Sequence, residues 1–191
     1  MKNKIINGLA IVAGLFVNPV FADDATDSFF GMSIERAFID VAGFEDEGIP
    51  FKIALGHQFS DFVGFEILYR DYGQLTDSEQ LQVPDGAGGT ITLNGEQKVT
   101  RKEITLYVIG YLPVTTAINL FAKAGYSGYN ERTRFEFTGF PNQSAEVNDN
   151  NTFYGLGAKF NMDEDSAVRL EYEAPDEGDS YIISFGFMHL F

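Results

Sequence analysis

The sequence predicts an all-β fold, namely an eight-stranded antiparallel transmembrane β-barrel. Eight stretches alternate between apolar and other residues, and a period of two is typical of strands rather than helices. Each stretch has one apolar, aromatic face, while its opposite face carries glycine, small and charged residues. Short and longer connections alternate along the chain, as they do at the two ends of an outer-membrane barrel. No apolar run after the N-terminal segment approaches the roughly 18 residues of a membrane helix, so any crossing must use strands.

The N-terminal segment has the pattern of a secretory signal peptide over residues 1–22. Lys2 and Lys4 give it a positive start, an apolar run follows, and Val20-Phe21-Ala22 approximates a cleavage site. We therefore expect the protein to be exported, with residues 23–191 forming one barrel domain.

The first three predicted strands are Phe29–Phe38, Ile49–Phe59 and Phe62–Tyr72. An acidic loop, Val41–Gly48, separates the first two, and Ser60-Asp61 makes a tight turn before the third. Their apolar faces carry Phe30, Met32 and Ile34, then Phe51, Ile53, Leu55 and Phe59, then Val63, Phe65, Ile67 and Tyr69. The opposite faces are predicted to line the barrel interior.

The middle of the chain contains the longest predicted loop and the longest predicted strands. Gly73–Gly89 is polar and glycine-rich and is predicted to be a surface loop. Asn94-Gly95, between two alternating runs, is the strongest short hairpin signal in the chain. The second arm of that hairpin continues into the fourth strand, Glu96–Leu112. Pro113–Ala117 is a short turn, and the fifth strand runs from Ile118 to about Phe137.

The next two strands show the same alternation of residue types. Gly139–Asn151 is predicted to be a loop, followed by the sixth strand, Thr152–Asn161. Met162–Ser166 makes a turn, the seventh strand is Ala167–Glu173, and an acidic loop, Ala174–Ser180, follows.

The eighth strand, Tyr181–Phe191, has the most aromatic face in the chain. That face consists of Tyr181, Ile183, Phe185, Phe187, His189 and Phe191. The last strand of a soluble β-sandwich would show a similar pattern. The even strand number, the alternating connection lengths and the aromatic residues near strand ends favour the membrane barrel.

The signal peptide, the segment from Phe153 to Glu173 and the terminal Phe191 resemble the small outer-membrane barrels of the OmpA/OmpX-like class. The resemblance covers nearly all of the exported chain. It implies location in the outer membrane, both termini in the periplasm, contact with lipid and lipopolysaccharide, and no cofactor. It also implies that the last strand is the signal for the barrel-assembly machinery, through Tyr181, Phe185, Phe187 and Phe191.

Charged residues on the predicted inner faces form a candidate network in the lumen. These residues are Glu35, Glu66, Glu103, Glu171, Lys52, Lys123, Lys159 and Arg169. Eight strands leave an interior just wide enough for side chains. Because a buried charge is costly unless it is paired, we expect these residues to form a salt-bridged plug.

Composition and spacing exclude several other classes of function. A formal net charge of −15 argues against nucleic acid, since phosphate binding needs a basic surface. The absence of cysteine excludes disulfides and thiolate metal sites. Asp163-Glu164-Asp165 lacks EF-hand spacing, so no metal site is predicted.

His57, with Ser60 and Asp61 close behind it, invites a hydrolase interpretation, but His57 and His189 are predicted to face lipid near the periplasmic rim. Lipid A enzymes of this class act at the outer leaflet, so no enzymatic activity is predicted.

The predicted role is therefore structural or surface interaction: membrane integrity, or adhesion and contact with a host or surface ligand through the outer loops. Two alternatives stay open. One is a narrow channel for ions or small solutes, and the other is a lipid-modifying enzyme.

Overall fold

A computed structural model describes residues 27–41, 44–84, 89–139, 141–176 and 180–191. It contains nine strand segments: β1 (Asp27–Val41), β2 (Phe44–Gly48), β3 (Phe51–Ser60), β4 (Val63–Pro84), β5 (Thr90–Pro113), β6 (Ile118–Phe137), β7 (Gln143–Asn161), β8 (Ser166–Pro175) and β9 (Tyr181–Leu190). The described part of the chain contains no helix with the length and hydropathy of a membrane span. The predicted signal peptide, residues 1–22, lies outside the described residues.

The nine segments form eight barrel strands, because β2 and β3 are two parts of one strand. Both pair with β1 in one continuous register, in which Ile34 lies opposite Phe51 and Ala37 opposite Gly48. The break falls at Pro50, which has no backbone N–H to donate to a neighbour. Its carbonyl still accepts a hydrogen bond from the Glu35 N–H at 3.1 Å. All pairs are antiparallel, and β1 also pairs with β9, which closes the barrel. The predicted fold class is confirmed.

The inner and outer faces of the strands follow the predicted alternation. On the outer face, Ile34 is 68% exposed and Phe185 63% exposed. On the inner face, Glu66 and Arg70 are fully buried. Bulky inward side chains fill the space around these charges, and they include Leu68, Tyr107, Phe121 and Phe153. The barrel therefore has an apolar exterior and a packed, charged interior.

Four strands are much longer than the others at the barrel end opposite the chain termini. β4 and β5 have 22 and 24 residues, and β6 and β7 have 20 and 19. Their upper parts form what we call the protruding sheet, comprising residues 74–84, 90–102, 129–137 and 143–151. This sheet begins at a bulge between Asp71 and Gln74. Gly73 at that bulge has a φ of 72°, a backbone conformation that glycine adopts readily.

Two predicted loops are wrong, because most of their residues belong to the protruding sheet. Gly73–Gly89 is mostly strand, because β4 continues to Pro84, and most of Gly139–Asn151 belongs to β7. The acidic segment Val41–Gly48 is likewise not one loop, since β1 ends at Val41 and β2 begins at Phe44. These segments lack an apolar face, and alternation therefore could not reveal them. Backbone pairing holds such a sheet together even where side chains on both faces are polar.

The predicted Asn94-Gly95 hairpin is wrong. β5 runs without a turn from Thr90, and Gly95 pairs with Glu79 on one side and Phe137 on the other. The described pairing of β4 with β5 ends instead at Pro84, which lies opposite Thr90. Glycine is needed at position 95 for space, because the Phe137 ring lies where a side chain would project. The prediction that the fifth strand extends to Phe137 is confirmed, since β6 ends there.

Candidate functional site

Arg70 is the centre of the charged interior. It lies on β4, and its guanidinium donates hydrogen bonds to carboxylates from three other strands. Nε lies 2.5 Å from Glu35, Nη1 lies 2.9 Å from Glu103, and Nη2 lies 2.5 Å from Glu173. The side chain is fully buried. Arg70 thus connects β1, β4, β5 and β8 across the lumen.

Two lysines extend this network to β3 and β6. The Lys52 ammonium lies 3.1 Å from Glu35, 3.2 Å from Glu171 and 3.2 Å from Glu173. The Lys123 ammonium pairs with Glu171, lies 2.8 Å from Glu173 and lies 3.4 Å from Glu66. Each ammonium has three donors, and these carboxylates surround both of them.

Arg169 completes the network at the end nearer the chain termini. Its guanidinium pairs with Glu66 and lies 3.1 Å from Glu171. The same guanidinium lies over the Phe121 ring, 4.5 Å from its centroid. We call the connected groups the lumen ion-pair cluster; they are Glu35, Lys52, Glu66, Arg70, Glu103, Lys123, Arg169, Glu171 and Glu173. Because removing one partner of a buried ion pair leaves an uncompensated charge, the cluster constrains six strands together.

The candidate residues from the sequence all lie buried, but they do not all meet. Seven of the eight belong to the cluster, whereas Lys159 lies apart and donates to the Gln58 side chain at 3.4 Å. The predicted set lacks Arg70 and Glu173, although each of them pairs with three oppositely charged groups of the cluster. Both occupy inward positions by simple alternation, so a signal for them was present in the sequence.

The four residues predicted as the assembly signal lie on the outward face of the last strand or just beyond it. Phe185 and Phe187 point outward, and Tyr181 stacks on Phe38 with ring centroids 4.5 Å apart. Phe191 follows β9, and its N–H donates to the Ser28 carbonyl at 2.9 Å. The Ser28 N–H donates back to the Phe191 carbonyl at 3.1 Å. The chain end is therefore part of the seam that closes the barrel.

The histidine that suggested a hydrolase makes structural contacts. His57 Nδ1 lies 3.0 Å from the Ser28 hydroxyl, and its ring packs 5.0 Å from the Phe59 ring. The Ser60 hydroxyl is engaged in the turn, where it accepts hydrogen bonds from the backbone N–H groups of Phe62 and Val63. The described ranges hold no group of three or more histidine, aspartate or glutamate residues that could bind a metal ion.

The outward face of the protruding sheet carries paired charges of both signs. Lys98 lies 2.7 Å from Glu136, and this hydrogen bond lowers the pKa of the Glu136 carboxyl. Arg132 lies 3.3 Å from Glu146 on the neighbouring strand. Exposed pairs of this kind contribute little to stability, because water and salt screen them. They support the cross-strand register more than the overall stability.

The protruding sheet also has two unpaired edges. Within the described chain, residues 143–151 pair with β6 alone, and residues 74–84 pair with β5 alone. The pairing of β3 with β4 and of β8 with β7 is confined to the lower parts of β4 and β7. Backbone donors and acceptors along both edges therefore face away from the sheet.

The sequence profile of one protein family, described as the OmpA-like transmembrane domain, matches residues 24–177. The sequence has no match among curated proteins.

Solved structures with a similar fold are small outer-membrane barrels. One is Ail of Yersinia pestis in complex with the heparin analogue sucrose octasulfate, at 15% identity and a TM-score of 0.53, covering 88% of this chain and 100% of Ail. Another is the N-terminal β-barrel domain of OprF from Pseudomonas aeruginosa, at 11% identity and a TM-score of 0.58, covering 86% and 97%. Neisserial surface protein A has 11% identity and a TM-score of 0.58, covering 87% and 97%. At these identities the likeness is one of fold.

Proposed function

The chain belongs to the family of OmpA-like transmembrane domains, and on that premise we propose that its barrel anchors the protruding sheet at the cell surface, where the sheet contacts surface ligands. The protein is an outer-membrane β-barrel with a structural or surface-interaction role.

The protruding sheet is the observation that carries this proposal. A tilted strand needs roughly 9–11 residues to cross a membrane, whereas β4 to β7 have 19 to 24. About half of each strand therefore stands clear of the lipid. A sheet with unpaired edges can accept an extended segment of a partner through main-chain hydrogen bonds.

The charge of the sheet limits the class of ligand. The chain carries a formal net charge of −15, and each outward cation of the sheet already has a carboxylate nearby. A heparin-like polyanion, such as the analogue bound to Ail, would have to displace these carboxylates. We therefore propose a neutral or weakly charged ligand, with an extended protein segment as the favoured class.

Orientation is part of the proposal: both termini lie in the periplasm, and the protruding sheet faces outward. Lipid surrounds the apolar belt, and lipopolysaccharide contacts its outer rim. We also propose that the barrel-assembly machinery recognises the last strand.

The orientation predicts which positions can be labelled on intact cells. The protein has no cysteine, so Asn94→Cys and Thr116→Cys each introduce a single thiol, one in the protruding sheet and one in a turn at the opposite end. A membrane-impermeant maleimide should label Asn94→Cys on intact cells, but Thr116→Cys only after the outer membrane is permeabilised. The reverse pattern would overturn the orientation.

Shortening the protruding sheet should remove surface interaction without unfolding the barrel. One variant would replace residues 77–97 and 133–145 by two-residue turns, which leaves the lumen ion-pair cluster in place. Cells carrying it should adhere several-fold less to immobilised extracellular-matrix proteins. A control variant would replace only residues 85–88, which keeps the paired strands. Unchanged adhesion by a shortened barrel that still shows heat-modifiable migration in electrophoresis would count against the proposal.

The two alternative roles have less support. A channel for ions or small solutes needs a continuous water path, whereas the lumen ion-pair cluster and its aromatic neighbours occupy the middle of the barrel. A lipid-modifying enzyme needs an activated nucleophile, and Ser60 bonds to backbone groups instead of His57.

A further inference from the structure

A cleft opens at the barrel end where the chain termini lie, below the lumen ion-pair cluster. Its volume is about 390 Å³, and its walls come from β1, β7, β9 and two turns. The charged and polar lining includes Asp27, Lys159, Asn161 and Glu164. This volume lies within the range of pockets that hold small molecules, roughly 300–1,000 Å³.

Lys159 at the inner part of the cleft is a buried cation with an incomplete set of partners. Its residue is only 5% exposed. Its ammonium donates one hydrogen bond, to Gln58 at 3.4 Å, and lies 5.5 Å from the centroid of the Tyr111 ring. Within the described ranges no carboxylate lies at ion-pair distance from it, whereas every cation of the lumen ion-pair cluster has at least two. The Asp27 carboxylate attracts this ammonium only from beyond ion-pair distance, so the cost of burying the cation is compensated in part.

The rest of the cleft offers acceptors and negative charge. The side-chain oxygen of Asn161, Oδ1, is buried and has no hydrogen-bond partner in the described structure, while Nδ2 donates to the Thr116 carbonyl at 3.2 Å. Asp27 and Glu164 are exposed at the rim, and in the described part of the chain neither forms an ion pair or a side-chain hydrogen bond. The neighbouring Asp163 carboxylate already has a partner, since it accepts a hydrogen bond from the Ser166 hydroxyl at 2.5 Å.

We propose that this cleft binds a small zwitterion of the amino-acid class. The ligand carboxylate would pair with the Lys159 ammonium, and the ligand ammonium would face Asn161 Oδ1 and the carboxylates of Asp27 and Glu164. A simple anion would suit Lys159 but meet the carboxylates of the rim. A simple cation would suit the rim but leave Lys159 unpaired. A molecule that carries both charges matches both ends of the cleft, and charge-assisted hydrogen bonds of this kind are strong. The inference does not depend on the protruding sheet or on its ligand.

The experiment compares glycine, which carries both charges, with acetate and methylammonium, which carry one charge each. The protein, as residues 23–191 in lipid nanodiscs, would be titrated separately with glycine, acetate and methylammonium, and NMR would follow the Lys159 side-chain ammonium. Glycine should shift this NMR signal until the shift saturates. Acetate and methylammonium should each bind with an affinity at least about tenfold lower. Acetate binding as tightly as glycine would replace the proposal by a plain anion site. The absence of any glycine effect would overturn it.

Variants test whether glycine binds in this cleft. Because Lys159→Met removes the ammonium observed by NMR, glycine binding to the variants would be measured by calorimetry. Lys159→Met should abolish glycine binding, and the exposed rim variant Asp27→Asn should weaken it several-fold without risk to folding. Lys102→Met is the matched control, because Lys102 is an exposed lysine on the protruding sheet that lies 3.6 Å from Asp71. The assignment would be contradicted if Lys159→Met and Asp27→Asn bound glycine as tightly as the wild-type protein. It would also be contradicted if Lys102→Met lost as much glycine affinity as Lys159→Met.

Discussion

Replacing Arg70 with methionine is expected to destabilise the barrel by about 3–5 kcal/mol, the range for breaking a buried ion pair from one side. Methionine retains much of the side-chain volume but leaves Glu35, Glu103 and Glu173 without their shared cation. Urea unfolding of the protein in lipid vesicles would measure the change. Arg132→Met is the control, because the pair of Arg132 with Glu146 is exposed and its loss should change stability little.

The same cluster should also keep the lumen closed. Wild-type protein in planar bilayers should conduct little or nothing, while Lys123→Ala should be less stable and open a leak. Lys123 contacts three carboxylates from two strands, and alanine would leave space as well as unpaired charge. A steady, sizeable wild-type conductance that does not rise in Lys123→Ala would favour the channel alternative.

Removing Phe191 is expected to cut the amount of folded protein in the outer membrane sharply. The truncation removes an outward aromatic side chain that is 70% exposed and two backbone hydrogen bonds to Ser28. Quantifying the heat-modifiable species in membrane fractions would measure the loss.

Two substitutions separate the parts of this effect. Phe191→Ala keeps the backbone bonds and removes only the ring, so it isolates recognition of the side chain. Phe62→Ala removes an exposed ring from a turn at the same end of the barrel, and assembly of this variant should be close to normal. Normal insertion of the truncated chain would refute the role of Phe191 as a signal.

Sequence reasoning could predict the membrane-embedded part of the fold because two solvents act on it. Lipid requires apolar residues on one face, and the narrow interior selects small, charged or hydrogen-bonding residues on the other, so alternation is strong from Phe51 to Tyr69. In most of the protruding sheet neither face is continuously apolar, so the alternation weakens although the strands continue. The prediction of a turn at Asn94-Gly95 was wrong because the glycine has another role, which is to make room for the Phe137 ring within a strand.

The charged interior could be predicted as a set of residues but not as a set of pairs. Alternation places Glu35, Glu66 and Lys123 inside, since a strand turns successive side chains to opposite faces. Which cation meets which carboxylate depends on the stagger of strands around the barrel. Arg70 reaches Glu173 across the lumen from a strand that is not its neighbour, and no spacing along the chain encodes that contact.

The pairing of β1 with β9 also determines the order in which the barrel can fold. β4 to β7 are joined by short connections, so hairpins of adjacent strands can form early and at low entropic cost. The seam joins Phe29 to Leu190 and Phe38 to Tyr181, and such contacts between distant parts of a chain form slowly. Until the seam forms, the edges of β1 and β9 expose unpaired backbone groups that lipid cannot satisfy. We therefore expect closure of this seam to be a late step of folding and the one at which an unclosed chain is most prone to aggregation.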